Sequence, residues 1–191
     1  MWKVYKHRLL ATVILTASLG CTNSSGPTRT PETRAASGHG YAMLYEILGQ
    51  ERQVSKLLLI NREPEALETV IGAIAQTCGK AYDRLGDFAK ADPGLDLIDT
   101  GLPIEEVRTR AAIAATKREQ LLAASGEELE LQLLLAQNEA LTYMAHLADT
   151  LSRNEPDPAR LAFLRELWKD LTRLQEDVLA LVRHPAGVHR P

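Results

Sequence analysis

Residues 161–181 read LAFLRELWKDLTRLQEDVLAL, and their apolar members Leu161, Leu164, Leu167, Trp168, Leu171, Leu174, Val178 and Leu181 recur at intervals of mostly three and four. At about 3.6 residues per turn this spacing gathers them on one side of a helix and leaves Arg165, Glu166, Lys169, Asp170 and Arg173 to water. A strand would need sustained alternation, which the segment lacks. The turn Glu155-Pro156-Asp157-Pro158 precedes it, and the same helical spacing returns upstream in Leu129, Leu133, Ala136, Ala140, Tyr143, Met144, Leu147 and Leu151. The fold class is therefore all-α.

Further toward the N-terminus the pattern predicts three more helical segments. Tyr41 opens a stripe of Leu44, Ile47, Leu48, Glu51, Val54, Leu57 and Leu58 that should end near Asn61. Pro64 then stands where a first-turn proline is tolerated, ahead of Leu67, Val70, Ile71, Ile74, Cys78, Ala81, Tyr82, Leu85 and Phe88. Pro93, Gly94, Gly101 and Pro103 mark Asp92–Pro103 as a loop. A third segment starts at Ile104 and carries Val107, Ala111, Ala114, Arg118, Leu121 and Leu122 on its expected core side. Ser125-Gly126-Glu127-Glu128 has the form of a capping box. It predicts a third rod that kinks or restarts near Ser125-Gly126, with the segments on either side roughly collinear. Four long rods then remain, enough for a bundle.

The composition agrees. Of the 191 residues 45% are apolar and only 5% aromatic, and the charges are mostly spread singly, as in amphipathic helices. The net charge is −3, and loss of Lys3, Lys6 and Arg8 with a leader would make it −6. Nucleic acid is a poor partner for such a chain, because phosphate binding needs Lys and Arg gathered on one face.

Lys3, Lys6, His7 and Arg8 followed by the apolar run Leu9–Leu19 form a signal peptide. The run is too short for the ~20 residues a membrane-spanning helix needs. Ala17-Ser18-Leu19-Gly20-Cys21 resembles a bacterial lipobox, with Cys21 as the acylated residue, although Ser18 stands where Leu, Val or Ile is usual. Ordinary signal cleavage, giving a soluble periplasmic protein, is the alternative. Thr22–Gly40 is rich in Thr, Ser, Pro, Gly and Arg and reads as a flexible tether. The expected organisation is a leader over 1–20, lipidated Cys21 and tether over 21–40, a helical domain over 41–183 and a frayed tail over 184–191. Thr22 after the cysteine implies the outer membrane, facing the periplasm or the cell surface.

Ser125-Gly126 through Asp157-Pro158 to Phe163, together with Val54-Ser55-Lys56-Leu57 and Leu102-Pro103, resembles in order and spacing a family of exported bacterial ferritin-like bundles of unknown function, described as predicted outer membrane proteins. The resemblance covers roughly residues 41–183 and implies a ferritin-like antiparallel four-helix bundle. It also implies bundle histidines at the positions held here by Cys78, Leu141 and Leu174, so the fold carries over without the family's metal site.

Glu51 on the first helix's core side is the remaining metal candidate, and Arg118 its expected partner if it is merely paired. Gln137 and Asn138 fit a buried polar network. Cys78 lacks a neighbouring His or second Cys and reads as an inert core thiol. His146 with Glu139 and Asp149 offers one imidazole and surface acids, a poor metal site. No phosphate-binding or nucleophile-elbow motif occurs in the chain. The expected function is therefore non-enzymatic and without a cofactor: a membrane-tethered helical module acting through an envelope partner or self-association. The alternative is a ferritin-like metal-binding or redox protein with a degenerate carboxylate site at Glu51.

Overall fold

The computed structural model describes residues 31–59 and 64–183, with side chains for 38–56 and 64–183, and over these the protein is all-helical. Five α-helices follow in order: α1 (Pro31–Glu51), α2 (Glu65–Ala91), α3 (Ile104–Ala123), α4 (Gly126–Ser152) and α5 (Pro158–Arg183). The expected leader, Cys21 and the expected tail lie outside the described residues.

Two expected boundaries move. Helix α1 begins at Pro31, ten residues inside the stretch read as tether, and Gly40 already packs so closely on Leu151 that a Cβ there would come within 2.8 Å of its Cδ2. The composition of that stretch hid a first-turn proline followed by Glu32, Thr33, Arg34, Ala35 and Ala36, a run compatible with a helix. At the other end α1 stops at Glu51 and gives way to a 3-10 turn, Val54–Leu59, where a continuous helix to Asn61 was expected.

One core holds α1, α2, α4 and α5. Leu44, Leu48, Leu67, Ile71, Ile74, Leu85, Leu141, Met144, Leu164, Leu171, Leu174 and Val178 are all essentially inaccessible. Each fully buried side chain of this size contributes about 1.5–3 kcal/mol, so the stripes set which helix faces meet.

Pairwise contacts give the directions. Tyr45 stacks on Tyr82 with ring centroids 3.9 Å apart and sets its hydroxyl beside Gly86, while Arg52, seven residues further on and just past α1, stands beside Gly79, so α1 and α2 are antiparallel neighbours. Gln175 reaches Asn138 and Thr142, joining α4 and α5. Tyr41 meets Glu155 just beyond α4 while Glu51 meets Gln137, so α1 opposes α4. Phe88 meets Phe163 edge-on at 5.6 Å and Asp92 meets Arg160, so α2 opposes α5. It follows that α2 and α4 run in the same direction, and the chain must travel back along the bundle between them.

Helix α3 makes that return. It is neither collinear with α4 nor its kinked continuation, because Ala124 and Ser125 reverse the chain and Gly126 takes the left-handed conformation at φ +57. Ser125 is the N-cap residue of α4, but its side chain makes no capping hydrogen bond. Helix α3 folds back loosely against the outside of α4 through a Lys117–Glu139 ion pair and Arg110 over the Tyr143 ring. No residue of α3 is buried, and the expected core stripe of Val107, Ala111, Ala114 and Arg118 is exposed. The periodicity was real, but of the stripe only Leu121, near its end, is partly covered by the bundle. Tyr143 and Trp168, also expected in the core, are about 40% exposed, Tyr143 at 39% and Trp168 at 40%.

Truncation should separate the two kinds of helix. Leu171→Ala in the core is expected to cost about 2–5 kcal/mol in urea denaturation, and Val107→Ala on α3 less than about 0.5 kcal/mol. A comparable loss for both would mean that α3 is part of the core.

Candidate functional site

The domain holds two buried polar clusters and one exposed apolar region. The first cluster closes the end of the bundle where α2 stops and α5 starts. Glu155 has a side chain only 1% accessible, yet it is fully engaged. The Tyr41 hydroxyl donates to Oε2 at 2.5 Å, and the Asp157 N–H and Arg160 Nε donate to Oε1 at 2.9 and 3.1 Å. Arg160 also donates from Nη1 to Asp92 Oδ2 at 2.8 Å. Asp157 accepts the Arg160 backbone N–H at 2.8 Å and so caps α5. A carboxylate buried with its cation and two further donors is satisfied, and removing one partner from such a pair typically costs about 3–5 kcal/mol. Its role is to lock four segments together. In the sequence it showed only as a Pro-rich turn, because its members are spread from Tyr41 to Arg160.

The second cluster lies inside the bundle. Gln137, 3% accessible, donates from Nε2 to Glu51 Oε2 at 2.9 Å, and Cys78 is wholly buried near enough to feel the Glu51 charge. Burial raises the Glu51 carboxyl above its ordinary 4.5, and the Gln137 hydrogen bond opposes the shift. Burial, with a contribution from Glu51, pushes the Cys78 thiol up to about 12. Nucleophilic or metal-binding chemistry needs the thiolate, so at neutral pH Cys78 is a small apolar group. Gln137 Oε1 has no hydrogen-bond partner among the described residues, on the same amide that holds Glu51. Glu130, 6% accessible, likewise leaves Oε1 without a partner among them.

The partner of Glu51 is thus Gln137 and not Arg118, which sits exposed on α3. Cys78, Leu141 and Leu174 are all core residues. His146, Glu139 and Asp149 do not converge: His146 is exposed, Glu139 pairs with Lys117, and Asp149 pairs with Arg153. Asn138 joins Gln175 at 3.2 Å, separately from the Glu51–Gln137 pair. Among the described residues no three His, Cys, Asp or Glu side chains gather as a metal site, and no helix is long and apolar enough to cross a membrane.

A groove of about 600 Å³ opens between α2 and α5, floored by Ala81, Phe163 and Leu167 and walled by Lys80 and Arg84 on one side and Glu166 and Asp170 on the other. It contains no buried polar group aimed into it, and its charged walls are solvated.

The third feature is apolar. Of the nine large hydrophobic side chains that are exposed among the described residues, four lie on α3 (Ile104, Val107, Ile113 and Leu122) and three on α4 (Leu131, Leu135 and Tyr143). Helix α3 turns Glu106, Arg110 and Lys117 toward α4, as the Arg110–Tyr143 and Lys117–Glu139 contacts require. At ~100° per residue, Ile104, Ala111 and Leu122 then face away from the bundle, while Val107 and Ala114, exposed as well, lie along the side of the helix. Scattered exposed leucines need no explanation, but a concentration on one hairpin does. Comparison with protein-family models, curated proteins and solved structures gives no match for this chain.

The Glu51 shift has a testable sign. With its folded pKa raised above 4.5, the folded state keeps this proton longer than the unfolded chain, so Glu51 lowers stability as pH rises through that interval. Glu51→Gln should match the wild type at about pH 4 and exceed it at about pH 8 in urea unfolding. A variant less stable at the higher pH would mean that the ionised carboxylate is the stabilising form.

Proposed function

We propose that this protein is an exported lipoprotein, acylated at Cys21, whose helical domain is a non-catalytic binding module that engages a protein partner through the outer face of α3. The observation that carries the reading is the unpartnered stripe of Ile104, Val107, Ala111, Ala114 and Leu122 on a helix of 20 residues none of which is fully buried. Most helical stability in proteins comes from burying an apolar face, so a stripe turned to solvent is a surface awaiting cover. The two buried clusters support the same reading, since one is satisfied structure and the other pairs a carboxyl with an amide beside a protonated thiol.

The fold-level part of the proposal is that the domain is of ferritin-like type. Two antiparallel hairpins, α1–α2 and α4–α5, joined by one connection running the length of the bundle, are the arrangement that distinguishes this class from bundles with only short loops. Here the crossover has become a helix, α3. The lipid anchor rests on Cys21 after Gly20 and on the leader before it.

Two experiments test these statements. Cys21→Ser should move the chain from the membrane fraction to the soluble fraction of the envelope, and retention in the membrane would remove the anchor. For the binding face, a photo-cross-linking residue in place of Val107 of the full chain in its own membrane should give covalent adducts, and one in place of Lys169 on α5 should not. Absence of adducts at position 107 would overturn the assignment of α3 as the binding face.

A further inference from the structure

The charges that border the α3 stripe identify its occupant. Arg108 and Glu119 lie on the same flank of the stripe, both exposed and neither in an ion pair among the described residues. The other flank is spoken for, because Arg110 pairs with Glu106 and Lys117 with Glu139. On the helix Arg108 and Glu119, two of its four charges without an ion pair among the described residues (the others are Glu105 and Arg118), are arranged symmetrically about Ile113 to Ala114, with Ile104 and Leu122 at the two ends of the stripe and Ala111, Ala114 and Ala115 at its middle. A helix built in this way is complementary to itself when a second copy lies antiparallel.

We infer that the outer face of α3 is a self-association surface on which two copies of this chain pair antiparallel about a two-fold axis near Ile113–Ala114, resting on the reading of α3 as the binding face. Ile104 of each copy then meets Leu122 of the second, and Ala111 meets Ala115. Arg108 of each faces Glu119 of the other, once at each end of the twofold. A two-fold contact is made by the same patch on both molecules, so each favourable feature is used twice. The alanines at the centre let the helix axes approach, and the antiparallel arrangement sets each helix N-terminus beside the other's C-terminus, where the dipoles attract. Arg118 lies on the stripe, and its guanidinium must leave the seam to stay in water, which keeps the contact small. One helix against one helix falls in the class below about 1,200 Å² that gives weak association, and tethering both copies to one membrane raises their effective concentration.

The test uses the full chain in its own membrane, two differently tagged copies, and a photo-cross-linking residue in place of Val107. The wild-type surface should give an adduct at twice the mass of the chain that contains both tags. Arg108→Glu places Glu against Glu, and Glu119→Arg places Arg against Arg. Each alone should lower the yield of that adduct about tenfold. Copies bearing Arg108→Glu mixed with copies bearing Glu119→Arg regain both attractions, and their mixed adduct should return to within about threefold of the wild type. Since Arg108 and Glu119 are both exposed, thermal melting should be unchanged in both variants. Adducts at position 107 with a different protein only, or no recovery on mixing, would overturn the pairing and leave α3 as a binding face for another partner. No adduct of any mass would overturn both.

Discussion

Helices α2 and α4 run in the same direction, and the rest of the molecule is arranged around that fact. Two parallel elements cannot be joined by a tight turn, so the chain has to cover the length of the bundle between them. It does so with 20 helical residues, α3, laid outside a core that α1, α2, α4 and α5 already complete. The free apolar stripe, the loose seat of α3 on α4 and the reversal at Gly126 all follow from this connection. Asp92–Pro103 launches it, with Asp96 accepting the Ile98 and Asp99 backbone N–H groups and Asp99 accepting that of Gly101. Gly101 takes φ +64 directly against the His39 ring, at a distance where a Cβ would stand 2.2 Å from Nδ1, so only glycine turns the chain there.

The parallel pair is held from both ends. At one end the Tyr41, Glu155, Arg160 and Asp92 cluster ties α1, the α4–α5 turn, α5 and the end of α2 together, and its directional bonds specify which helix ends meet. Further along, the apolar layers supply attraction without direction, and the Glu51–Gln137 bond is the polar contact that registers α1 against α4. An apolar core alone would tolerate sliding of one helix along another by a turn, and buried hydrogen bonds penalise it. Glu51 stands where α1 breaks into the 3-10 turn, so its partial burial and the interrupted helix are one local arrangement.

Several features were legible in the residues because they are local. The apolar stripes of α2 and α5 named their buried residues closely: Leu67, Ile71, Ile74, Cys78 and Leu85 on one, Leu164, Leu167, Leu171, Leu174 and Val178 on the other. The loop after Asp92 and the break before Gly126 were marked by Gly, Pro and Ser. Helix α4 was harder to read, since Leu129, Leu131, Leu133, Leu134 and Leu135 offer more than one apolar side, and only packing against α5 decides that Leu133 and Leu134 are covered while Leu131 and Leu135 are not. The start of α1 was misread because composition alone assigned Pro31–Gly40 to a tether.

By itself the sequence determined that the chain is helical, where most helices begin and end, and that Cys78 lacks the sequence neighbours that would make it reactive, because each of these depends on residues within a turn or two of one another. Only the tertiary structure decided which stripes are covered. The periodicity of α3 resembles that of a core helix, yet it stays exposed because four other helices close the core first. In the same way Glu155 became a buried anchor and Glu51 found Gln137 instead of Arg118, since those partners are 114 and 86 residues away in the chain and meet only after the helices have chosen their neighbours.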